Sequence, residues 1–150
     1  MARAKFIDDP AFEAAISKAA AHFPEVAAAA LRAGAAVIAD EMKKRLEGVL
    51  SEDASGKLVE SFGITPVKQD REFNFNVHLG FDGYQQPGYG KFTATGVPFQ
   101  LIARTIESGV EGWRDATPFA KPAVQASKAQ AYAAMTEAAE RELEKYLKRR

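Results

Sequence analysis

Gly88, Gly90 and Gly96 invite a chemical reading first, because closely spaced glycines let backbone amides cradle a phosphate. Their setting, GYGKFTATG, has neither Walker spacing nor that of a dinucleotide-binding turn after a strand, so nucleotide binding is rejected. What remains is an arm in which glycine permits tight bends and Tyr84, Tyr89 and Phe92 offer contact surface. Tyrosine buries much area at low entropic cost, so these three are expected at a subunit interface. His22 closes a helical pattern, where it suits the negative end of the dipole, and His78 falls on the wet face of a strand. Neither stands at ligand spacing from another histidine. With two histidines and no cysteine, no zinc site is expected. No serine occupies a GxSxG-type turn or can be assigned a base, so the chain is not expected to be an enzyme. The terminal KYLKRR sets four cations in the last turns of a helix, where they satisfy carbonyls and oppose the dipole. The alternative is a nucleic-acid-binding module in which Lys148, Arg149 and Arg150 face passing DNA without base specificity.

These side chains must be positioned by a folded domain. A chain of 150 residues, 47% of them hydrophobic, is enough for one domain with one core, and we read 1–150 as such. Lys plus Arg and Asp plus Glu number 20 each, which removes the basic excess of a dedicated nucleic-acid binder. MARAKFIDDP lacks an apolar run of signal-peptide length, and no stretch approaches the roughly 20 apolar residues of a membrane span. The expectation is a soluble protein acting where it is made, with no membrane partner.

The elements follow from spacing. Asp9 and Pro10 start a short helix with Phe12, Ile16, Ala19 and Phe23 on one face, within residues 1–23. Pro24 resets the chain. Leu31, Ala35, Ile38, Met42, Leu46 and Val49 then form the stripe of a first long helix. Its runs of alanine, 27–30 and 33–36, would admit another backbone, but helix propensity is the preferred explanation. KLVESF reads as a further helical turn ending at Gly63. Phe73, Phe75, Val77, Leu79 and Phe81 alternate with polar residues or glycine, which predicts a strand whose odd-numbered side chains pack on the two long helices. Its partner is the run from Ile64 to Lys68 across the QDRE turn, where Pro66 implies an edge or a bulge. Residues 82–97 are a long loop or arm. Pro98 opens a short helix with Leu101, Ile102 and Ile106 turned to the core, ended by Gly109. VEGWRDAT is a connector. Thr117 and Pro118 cap a last long helix striped by Val124, Ala131, Met135, Ala139, Leu143 and Tyr146 or Leu147, with Glu137–Arg141 and Glu144–Lys148 pairs. The fold class is α/β in the α+β sense: a small antiparallel sheet with a central hairpin against two long helices, plus short helices and an arm.

Three stretches carry a family resemblance. ASGKLVESFGI looks like the TGxLxxSI stretch of siphophage neck and tail-completion proteins, with Ser55, Gly56, Leu58 and Ser61 at matching places. VPFQLIARTIESG is similar to the family's apolar helix leading into an acidic residue and a glycine, here Glu107 and Gly109. ATPFAKPAVQASK resembles its PFxRPAxxxxK signature through Pro118, Phe119, Pro122, Ala123 and Lys128. They occur in the family's order within residues 24–150. Ser108 replaces a usual aromatic, Lys57 and Lys121 vary the pattern, and the arm at 82–97 is individual. The resemblance implies a structural, ring-forming homo-oligomer, a hexamer or dodecamer, at the head-tail junction of the virion. Its implied partners are other neck, connector and tail proteins and, non-specifically, passing DNA. It would assemble in the host cytoplasm and need no cofactor.

Overall fold

A computed structural model describes residues 10–50, 56–86 and 94–148. Two long helices organise it: α2 over Phe23–Val49 and α5 over Ala120–Lys148, preceded by the short α1 over Pro10–Ala21. Between the long helices run α3 (Lys57–Glu60), β1 (Phe62–Ile64), β2 (Lys68–Gln69), β3 (Phe75–Asn76), β4 (Leu79–Phe81), β5 (Tyr84–Gln85), β6 (Val97–Pro98) and α4 (Phe99–Ser108). The mixed helical and antiparallel class is as expected, although the strands form three two-stranded ribbons rather than one sheet.

Helices α2 and α5 pack antiparallel, since His22 stacks on Tyr146 at one end while Gly34 meets Ala131 and Met135 further along. A Cβ on Gly34 would lie 2.6 Å from Met135 Cγ, so the glycine lets the two backbones approach. The small-residue run therefore does more than favour helix: Gly34, Ala35 and Ala39 are buried against the opposite helix. On α5 the buried positions in the first turns are Ala123, Ser127 and Ala131. Val124, taken for the stripe on its apolarity, is exposed, because close packing selects small residues over bulky ones. The Glu137–Arg141 and Glu144–Lys148 pairs form at 2.8 and 2.6 Å.

The core sits at one end of this helix pair. Met42 and Leu46 of α2, Leu58, Phe62, Phe99, Ala103, Ile106, Phe119 and Ala123 form a single apolar cluster, with Leu79 and Phe81 against its edge. In α4 the buried residues are Phe99, Ala103 and Ile106, so Leu101, expected inside, lies on the outer face. Helix α3 ends at Ser61, and Gly63 belongs to β1 instead of closing a helix.

The strand expected over Phe73 to Phe81 is divided. β1 pairs with β4, Ile64 opposite Leu79, and β2 pairs with β3, Lys68 opposite Asn76. Three residues lie between Ile64 and Lys68 where two lie between Asn76 and Leu79. One extra residue around Pro66 is a bulge, as the proline implied. At the other end the Asp70 carboxylate accepts hydrogen bonds from the Glu72 and Asn74 amides and from Asn74 Nδ2. These contacts, led by the Asn74 backbone bond, hold its pKa below the usual carboxylate value. The turn so formed carries Phe73 at φ 62°, 79% exposed. Phe73 is thus a turn residue and not the first of five packed side chains, and Val77 is only half-buried.

Candidate subunit interface

The three motif stretches converge on one joint. Gly56 takes φ 71° at the start of α3, Leu58 drops into the core, and Ser61 Oγ donates to the Leu58 carbonyl at 2.7 Å. Glu107 ends α4 by reaching across to α5. Its Oε2 accepts from the Phe119 and Ala120 amides at 2.7 and 2.8 Å, and Oε1 accepts from the Lys121 amide at 3.1 Å. The next residue, Pro122, has no N–H, and the Ala123 amide donates to the Phe119 carbonyl. Every amide of the first turn is therefore satisfied. Burial alone would raise the Glu107 pKa, but the bonds from Ala120, Phe119 and Lys121, with the charge of Lys121, outweigh it and hold it below the ordinary value. Thr117 does not cap this helix; its amide donates to the Ile106 carbonyl at 2.8 Å. Pro118 is exposed and Pro122 half-buried, while Phe119 is 2% exposed at the centre of the core. Gly109, at φ 71°, stands where a Cβ would come within 2.7 Å of the Ala116 amide nitrogen. These residues build the fold. Ser55, the first of the motif, lies outside the described residues.

Contact surface is supplied elsewhere. Tyr84 is mostly exposed on β5, paired with Pro98, so the segment expected as a plain loop has a paired base. Gly96 completes that base, at φ 80° with its Cα side against the Gln85 carbonyl. Tyr89 and Phe92, with Gly88 and Gly90, lie outside the described residues. None of the α1 residues is buried, and Ile16 and Phe23 are more than half exposed, with Phe23 edge-on to Phe75 at 5.8 Å. At the basic end, Lys145 pairs with Glu142 and Lys148 with Glu144, so one of the three cations considered for DNA, Lys148, already faces a carboxylate. Arg149 and Arg150 lie outside the described residues. His78 is exposed, its amide held by Thr65 Oγ1, and His22 stacks on Tyr146 rather than facing a ligand.

The surface feature that sequence reading missed is Trp113, 77% exposed. It stands on a tight hairpin in which Val110 and Arg114 exchange two hydrogen bonds of 2.8 and 2.9 Å. Its signal was present in VEGWRDAT: a lone tryptophan after a glycine in a polar connector. Among the described residues no cluster of His, Asp and Glu could hold a metal ion, and no helix is long and apolar enough to cross a membrane.

The motif residues thus hold a joint, while large aromatics are turned outward. Residues 11–91 match the family described as "Bacteriophage HK97-gp10, putative tail-component". The chain belongs to this HK97-gp10-like family. It is a bacteriophage tail component, a part of the virion that meets other phage structural proteins. The match runs from α1 through β5, so the family region includes the short first helix that the motif comparison left out. No curated protein and no solved structure matches the chain.

Proposed function

We propose that this HK97-gp10-like protein is a structural, non-enzymatic subunit of a ring at the head-tail junction, joining head to tail and leaving a passage for DNA. The observation that carries this reading is the contrast between a small, fully packed joint around Phe119 and the aromatic residues left outside it, Phe73, Tyr84 and Trp113. A monomer with no partner has little reason to present these large aromatics on two ordered turns and a strand, whereas a ring subunit requires two different faces that meet. The order of the three motif stretches, as in siphophage neck and tail-completion proteins, supports the neck assignment within the tail-component family. A hexamer or dodecamer fits the resemblance.

The test is complementation of a gene knockout followed by electron microscopy. Without the protein, filled heads and free tails should accumulate separately. The wild-type gene should restore joined particles. A gene lacking residues 87–93 should not, although the β5–β6 pair flanking the deletion in sequence is kept. Joined, infectious particles in the knockout would refute the proposed role; joined particles with the shortened gene alone would remove the arm from it.

A further inference from the structure

The β1–β4 ribbon contains a feature that nothing among the described residues requires. Gly63 and Gly80 are directly opposed across it. Neither has a positive φ, and a Cβ built on either meets no atom within 4 Å. Glycine inside a strand weakens it, and its usual justifications are a special backbone conformation or a close neighbour. Both are absent here. The paired glycines leave a side-chain-free floor in an open groove of about 500 Å³, edged by Ile64, His78, Phe81 and Gln100. In designed and natural sheets an aromatic ring laid over such a glycine restores the lost packing.

The chain also carries an exposed ring of the right kind on an ordered hairpin. Trp113 is fixed by the Val110–Arg114 bridge and by its own amide, which donates to the Val110 carbonyl at 3.0 Å. The hairpin is clamped at its base by the crowded Gly109, by the Thr117–Ile106 hydrogen bond and, one residue on, by the Glu107 cap. It projects from the C-terminal end of α4, whereas Gln100 of the groove lies in the first turn of that helix. A helix of ten residues is about 15 Å long. The Trp113 ring is 77% exposed and does not lie on the glycine floor of its own chain, where a Cβ on Gly63 or Gly80 meets nothing within 4 Å.

Resting on the ring reading, we propose that Trp113 of one copy docks on the Gly63–Gly80 floor of the next copy, as the anchor of a head-to-tail interface. The charges agree. Trp113 is flanked by Glu111 on one side and Arg114 on the other. The floor and its continuation along α4 share Gly80, Phe81 and Gln100, with Asp82 at one end and Arg104 at the other. In the docking, Arg114 is the residue to pair with Asp82 and Glu111 the residue to pair with Arg104 of the next copy. A buried tryptophan removes on the order of 150–250 Å² from water, well short of a whole interface but typical of its central residue. Because knob and floor differ, the contact is heterologous and propagates from copy to copy, closing only as a ring.

Trp113 is the sole tryptophan, so its fluorescence reports on the knob alone. Wild-type protein should assemble as concentration rises, and its emission should move to the blue in step with the mass measured by light scattering. Trp113→Ala and Gly80→Val should each raise the concentration needed for assembly by roughly tenfold or more. Both should melt as the wild type does or higher, since one trims an exposed side chain and the other fills empty space on a strand. Assembled wild type with water-exposed emission, or both variants assembling as the wild type does, would overturn the docking and leave the ring standing. Wild type that stays monomeric at every concentration would overturn both.

Discussion

Glu107 shows how a single carboxylate can bear on a whole architecture. It joins α4 to α5 by accepting the three amides that open the longer helix, and Phe119, the first of those donors, is the side chain at the centre of the core. Its folded-state pKa lies below the ordinary value, so its contribution is present above the unfolded carboxylate range and is lost as pH falls through the folded value. Glu107→Gln should cost about 1 kcal/mol near neutral pH, as loss of a helix cap does. The deficit should shrink as pH drops, because the wild type then loses its charge as well. Urea unfolding of both proteins from pH 7 to pH 3 measures this; a constant difference across that range would show that charge plays no part. Glu107 was visible in the sequence only as a motif position. Its capping role was not, because residues twelve to fourteen apart meet through the fold, and Thr117 with Pro118 offered a local cap that the chain does not use.

At the scale of elements, the long helices were legible from periodicity, and so was the bulge at Pro66, since a proline in a strand has few places to go. The phase of α5 was not, because apolar ranking favours Val124 whereas the α2–α5 approach buries Ala123, Ser127 and Ala131. The strand over Phe73 to Phe81 was read too long for a similar reason: alternation continues through a turn that Asp70 imposes by hydrogen bonding. Two glycines of α2 separate close packing from mere helix propensity. Gly34 faces Met135, and a valine there should destabilise by roughly 1–3 kcal/mol through overpacking. Gly48 has open space around it, and Gly48→Ala should stabilise by up to about 1 kcal/mol. Thermal denaturation of the two variants gives the comparison. Equal shifts of the same sign would mean that the helices do not meet at Gly34.

The whole molecule joins a single apolar core at one end of a long helix pair to outward-facing aromatics on turns and on α1. Composition alone pointed to one domain without metal or disulfide, and ordered motifs pointed to a phage tail assembly, which the family match over residues 11–91 supports. The outward surfaces were less legible, because the reason for an exposed Trp113 or an opposed glycine pair lies in a neighbour that one sequence does not contain. The central claim is a location: a ring between head and tail. A cryo-electron reconstruction of intact virions carrying a small tag on this protein tests it most directly. We predict tag density repeated around the axis of the neck, in one layer, at the junction of head and tail. Density along the tail tube or at its far tip, or virions without the protein, would contradict the account.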